Sequence, residues 1–155
     1  VPQECRPDPE ILFTWILYTR SDIPDIMTHT MDLVTCPFCT PGTSEIILEN
    51  DLSYTRYDKY PASPGHLLVL TKRHIPSVFD ANRRELDTLW ELLNNAKHYL
   101  DDQFSPDGYN IGINDGVSAG QTIPHLHIHL IPRYIGDTPD PRGGVRGVIP
   151  DKQKY

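Results

Sequence analysis

The sequence predicts a mixed fold in which several strands and one long helix share a core. Three observations carry that expectation. His125-Leu126-His127-Ile128-His129-Leu130-Ile131 alternates polar and apolar side chains without a break, the period of a strand with one face buried. Tyr109-Asn110-Ile111-Gly112-Ile113-Asn114 alternates in the same way. Between residues 80 and 103, Leu86, Leu89, Trp90, Leu93, Ala96 and Leu100 follow helical spacing instead.

Taken in order, residues 1–35 read as an N-terminal extension. Asp8-Pro9-Glu10 has the residue types of a helix start, and a helix over about 9–20 is expected, with strand as the alternative. Cys36-Pro37-Phe38-Cys39 opens the main domain, 36–150. Glu45–Leu48 and Leu52–Tyr57 read as a hairpin turning at Glu49-Asn50-Asp51. Pro61-Ala62-Ser63-Pro64-Gly65 is a turn, and His66–Thr71 is a strand apolar enough to be central. Asn82 followed by Glu85 has the spacing of a capping box at the start of the long helix. Residues 115–122, Asp-Gly-Val-Ser-Ala-Gly-Gln-Thr, form a loop leading to the histidine strand. Residues after Arg133 read as irregular, and 151–155 as a short tail.

Composition narrows the function. The chain has 155 residues, with 38% hydrophobic and 23% charged, which suits one globular domain. The formal charge of −7 argues against general nucleic-acid or membrane-surface binding. The apolar run Ile11–Tyr18 is too short to span a bilayer. Three cysteines, two of them in one C-x-x-C, do not make a secreted disulfide framework, so a reducing, cytoplasmic setting is expected.

The chemistry centres on the histidine row. A strand places all three imidazoles on one face, roughly 6.5–7 Å apart. They could hold a metal, act as nucleophile and proton donors, or bind an anion once protonated. The glycines of the loop at 115–122 leave its backbone N–H groups accessible to phosphate oxygens. Together these point to phosphoryl or nucleotidyl transfer more than to hydride or acyl chemistry. No Walker loop, dinucleotide fingerprint or G-x-S-x-G is present. Cys36 and Cys39 could take two corners of a tetrahedral zinc site, serve redox chemistry, or be inert. Arg142 and Arg146 read equally well as solvated charges or phosphate clamps.

Residues 125–131 match His-φ-His-φ-His-φ-φ, and the chain resembles the histidine triad (HIT) family over roughly 36–150. Supporting pieces are Asp58 before Tyr60-Pro61, Ser63–Val69, Lys72-Arg73-His74-Ile75, and Asn114 through Gly120-Gln121-Thr122. The resemblance implies an α+β fold: an antiparallel sheet of about five strands with one long helix and a shorter one, paired in a two-fold homodimer. It implies hydrolysis of a dinucleoside polyphosphate, such as diadenosine tetraphosphate, through a nucleotidyl-histidine intermediate. His127 would be the nucleophile, His129 would serve the phosphate and leaving group, and His66 would lie beside them. Asp58 matches the ribose position; Asn114, Gly120, Gln121 and Thr122 match the phosphate loop. Members of the bacterial type carry a structural zinc, which here implies Cys36, Cys39, His74 and His125 as ligands. The expected partner is a purine nucleotide or dinucleoside polyphosphate, with no membrane and no stable nucleic-acid complex.

Some features depart from the pattern. Residues 1–35 fall outside it, and Pro124 precedes the triad. Gln121-Thr122 resembles the Fhit-like branch, although Thr122 could replace the serine of the Hint-like branch, which cleaves nucleoside phosphoramidates. A phosphoramidate or adenylyl-conjugate hydrolase, or a nucleotide-binding protein without turnover, are the alternatives.

Overall fold

Alternation and capping chemistry decide where the elements fall. In a computed structural model, the structure describes residues 36–154. The expected helix at 9–20 lies outside them. The described elements are β1 (Leu48–Glu49), β2 (Ser53–Tyr57), β3 (Leu67–Thr71), α1 (Arg83–Phe104), β4 (Gly108–Gly112) and β5 (His127–Arg133). The five strands form one antiparallel sheet in the order β1-β2-β3-β5-β4. Short 3-10 turns at Val117–Ala119, Gly144–Val148 and Pro150–Lys152 replace part of what reads as irregular chain.

The register sorts side chains onto two faces. Leu67, Val69, Ile128 and Leu130 meet Leu89, Leu92, Leu93, Ala96 and Leu100 of α1 in the main core. Truncating one of these leucines to alanine costs about 2–5 kcal/mol. The opposite face carries Tyr54, Leu68 and Leu70, packed with Cys36 and Phe38. Because Leu68 pairs with His129 and Leu70 with His127, both histidines stand on this second face.

The helix starts where its capping box lies. Asn82 Oδ1 accepts the Glu85 N–H at 3.0 Å, and Glu85 Oε2 accepts the Asn82 N–H at 2.9 Å. Glu85 is buried and also binds Arg73 through both oxygens, at 2.7 and 2.8 Å. That bidentate pair ties the end of β3 to the first turn of α1 and so sets the position of His74.

Several expectations shift. Trp90 is 55% exposed, whereas Leu92 is buried. The buried stripe runs Glu85-Leu89-Leu92-Leu93-Ala96-Leu100, and Trp90 is about 100° round the helix from Leu89. The first hairpin strand is Leu48–Glu49, not 45–48, and Thr43–Glu45 is a 3-10 turn. Asn50 places this hairpin, because its Oδ1 accepts the N–H groups of Leu52 and Ser53. The triad strand begins at His127 and continues through Pro132-Arg133. The Pro132 carbonyl accepts the Ser63 hydroxyl at 2.6 Å, beyond the end of β3. Its missing N–H therefore faces no ladder partner. Gly65 sits at φ +83°, and a Cβ there would stand 3.1 Å from the Phe104 ring, so only glycine fits that turn.

Candidate functional site

The start of the domain folds back on the residues preceding β5. The turn 36–39 closes with the Cys39 N–H donating to the Cys36 carbonyl at 3.1 Å. The Tyr54 hydroxyl anchors it, donating to the Phe38 carbonyl at 2.7 Å. Cys36 Sγ lies 3.5 Å from His125 Nδ1, and Cys39 Sγ lies 3.2 Å from His74 Nδ1. All four ligand atoms are within 4.8 Å of one another. The buried His125 donates its Nε2–H to the Thr71 carbonyl at 2.7 Å, which leaves the Nδ1 lone pair facing the thiols. Burial lowers the His125 pKa to about 4, so the ring is neutral. Burial, then Cys36, raises the Cys39 thiol to about 11. Two thiols and two imidazoles at these separations suit a tetrahedral, soft-ligand cation that would hold the thiols as thiolates.

The next two histidines are wired differently. His127 Nδ1–H donates to the His125 carbonyl at 2.7 Å. In the neutral ring this hydrogen bond assigns the tautomer, with the Nε2 lone pair as the remaining acceptor. His129 Nδ1 lies 3.0 Å from His66 Nε2, while His66 Nδ1 accepts the Ala62 N–H at 3.1 Å. A neutral His66 must then carry its proton on Nε2 and donate it to His129, whose own proton sits on Nε2. Burial, then the neighbouring imidazoles, lowers His129 to about 4, and burial lowers His66. Among the described residues, His129 Nε2 is a buried polar atom without a partner. As a donor it has its hydrogen bond still to give.

Asp58 completes this end. Its Oδ2 lies 3.6 Å from His66 Nε2 and 3.8 Å from His129 Nδ1, while its Oδ1 accepts the Tyr60 N–H. These three residues also bring ligand atoms within 4.8 Å of one another. A metal-bound His66 Nε2 would need its proton on Nδ1, against the Ala62 N–H. The group is built as a hydrogen-bond chain.

A cleft of about 430 Å³ runs over this face. His127, His129, Asp58, Asn114, Gly120 and Thr122 line it, so the sheet and loop bring these sequence-chosen residues together. Gln121 does not line it. Its Oε1 accepts the Gly116 N–H at 2.9 Å, and its Nε2 donates to the Pro76 carbonyl at 2.6 Å. It braces the loop in this structure. Asp115 does the same, accepting the Ser77 hydroxyl and the Val78 N–H. Arg142 pairs with Asp140, and Arg146 donates to the Lys152 carbonyl. Neither lines the cleft. Reading the sequence missed Phe38, Arg56, Lys59, Leu68 and Ile123, which do.

Comparison with known proteins bears on this geometry. A family model described as HIT domain matches residues 41–136. The chain is 40% identical to bis(5'-adenosyl)-triphosphatase of Dictyostelium discoideum over 58% of its length and 60% of that protein's. It is 38% identical to asymmetrical bis(5'-nucleosyl)-tetraphosphatase of Schizosaccharomyces pombe over 63% and 53%. The chain thus spans little more than half of these curated relatives. Among solved structures, a histidine triad nucleotide-binding protein of Sulfolobus tokodaii matches with TM-score 0.61 and 35% identity, over 68% of this chain and 73% of that one. A zinc-bound histidine triad protein of Mycobacterium smegmatis matches with TM-score 0.61 and 29% identity, over 70% and 86%.

Proposed function

The chain belongs to the HIT domain family, and from that premise we propose that it hydrolyses dinucleoside polyphosphates by nucleotidyl transfer through His127. The carrying observation is the His127 hydrogen bond. With Nδ1–H committed to the His125 carbonyl, Nε2 is the nitrogen left for the cleft that His127, Asn114, Gly120 and Thr122 line. In the first step, His127 Nε2 forms a bond to the α-phosphorus, and the bond to the bridging oxygen of the polyphosphate breaks. Nδ1–H stays on the ring, and the His125 carbonyl stabilises the cationic imidazole. His129 donates Nε2–H to a phosphate oxygen as negative charge develops there. Water then attacks the same phosphorus, the bond from phosphorus to His127 Nε2 breaks, and the nucleoside monophosphate leaves with the water oxygen while the water proton passes to solvent. Asp58, beside His66 and His129, can hold the ribose hydroxyls or steady the proton chain. The names of the two curated relatives support this substrate class over phosphoramidates.

Cys36, Cys39, His74 and His125 would hold a structural zinc, a reading supported by the donor set and by the zinc-bound neighbour. The ion would supply a cross-link between the domain's first turn, the segment after β3 and the start of the triad strand. A homodimer belongs to the same reading, since β4 is an edge strand among the described residues and exposes Ile111. So does a reducing compartment, a reading with which the unbridged Cys36 and Cys39 agree.

The test is hydrolysis of diadenosine tetraphosphate in ¹⁸O-labelled water, beside adenosine phosphoramidate. Label should enter the released monophosphate, and an acid-quenched sample should contain nucleotidyl-His127. Turnover of the phosphoramidate alone would assign the other branch. Label in the polyphosphate product would remove His127 from its role.

A further inference from the structure

One row of paired residues crosses the sheet beneath the cleft. Arg56 pairs with Leu68, and Leu68 pairs with His129. Paired residues share a face, so all three stand on the cleft side, with Arg56 about 10 Å from His129, two strand spacings away. Leu68 is the apolar floor between them, and Phe38 and Ile123 are among the walls. A purine laid over Leu68, with its phosphate at His127 and His129, brings its outer edge to Arg56.

Arg56 is a built part of that wall. Its side chain is only 15% exposed. Its guanidinium lies over the Phe38 ring, 5.8 Å from the centroid, and pairs with Glu45 at 2.8 Å. The Glu45 carboxylate is occupied by Arg56 and by the Gly42 N–H, and it does not line the cleft. The nearby Lys59 does line it. This end of the cleft therefore offers donors. Guanine presents two adjacent acceptors, O6 and N7, where adenine presents N7 beside an amino donor. Arginine matches the first edge and opposes the second.

Resting on the proposed nucleotidyl transfer, we infer that Arg56 is a specificity-determining residue that makes the cleft prefer guanine nucleotides over adenine nucleotides. Two measurements test it. The first is the affinity of GMP and AMP by calorimetry; the second is kcat/KM for diguanosine and diadenosine tetraphosphate. The wild-type protein should favour guanine by roughly tenfold in both. Arg56→Leu should bring the two bases within about twofold, mainly by weakening guanine. Glu45→Gln, which leaves Arg56 in place, should keep the preference. Equal or reversed affinities in the wild type overturn the inference, and that ratio decides the matter even if Arg56→Leu does not fold. So does an Arg56→Leu protein that still prefers guanine. If neither dinucleotide is turned over, the proposed reaction fails, while the GMP-to-AMP ratio still judges Arg56.

Discussion

The two ends of the triad carry the same side chain and have opposite chemistry. His125 gives its Nε2–H to a backbone carbonyl and turns Nδ1 to two thiols. His127, two residues on, gives its Nδ1–H to a backbone carbonyl and keeps Nε2 for the cleft. His129 receives at Nδ1 and presents Nε2–H. Imidazole has two distinct nitrogens, and the partner of one determines what the other can do. One end is therefore suited to hold, and the other to react. The His127–His125 hydrogen bond joins them, since its acceptor is the carbonyl of a candidate metal ligand.

The comparison can be broken most directly at the reacting end. His127→Asn should lower turnover of a dinucleoside polyphosphate by about 10⁴-fold or more, as expected for loss of a nucleophile. Nucleotide binding, followed by calorimetry, should persist because the cleft is otherwise intact. Appreciable residual hydrolysis would place the nucleophile elsewhere. The holding end should respond as stability instead. Cys36→Ala should lose bound zinc by elemental analysis and lower the melting temperature by about 10 °C. A purified protein that contains no metal and melts alike with and without chelator would refute the zinc assignment.

Much of this contrast is legible in the sequence, because period-two spacing places the histidines and the C-x-x-C supplies two clustered thiols. Asn82 and Glu85 also mark the helix start, because a capping box is a local pattern. The roles of the histidines are less legible. They depend on Thr71, Ala62 and the His125 carbonyl, which contact the rings only after the sheet forms. Strand limits slip for a related reason. Alternation identifies a face, whereas pairing decides the ends, so the triad strand begins at His127 although Leu126 already keeps the pattern. Trp90 lies on the helix flank, where hydrophobicity does not report burial. Arg56 went unread because a lone strand arginine has no signature until the register aligns it with Leu68 and His129.

The reacting end also has a pH signature. His129 is held at about 4 in the folded state against 6.5 unperturbed. Above 6.5 both states are neutral and its contribution is fully present. As pH falls from 6.5 towards 4, the unfolded chain takes up the proton first, so stability is lost on acidification. The loss from this group is on the order of 3 kcal/mol. Denaturant titrations at pH 7 and pH 4.5 should show a clearly smaller difference for His129→Gln than for the wild type. An unchanged difference would mean that His129 takes up its proton over the same pH range in the folded and unfolded chain.

The smallest expected effect concerns Gln121, where the matched motif and the structure point to different roles. As a phosphate ligand, Gln121 would contribute mainly when charge develops, and Gln121→Ala would lower kcat without altering stability. As the brace seen here, it closes the loop by accepting from Gly116 and donating to Pro76. Its loss should then cost about 1 kcal/mol of stability and raise KM a few-fold while kcat changes little. Gln121→Glu sharpens the distinction, because a carboxylate still accepts the Gly116 N–H but cannot donate to Pro76. For a brace, Gln121→Glu keeps part of the lost stability. For a phosphate ligand, the added negative charge makes it the more damaging substitution in kcat. A Gln121→Glu protein less active than Gln121→Ala would therefore return Gln121 to the reacting end of the site.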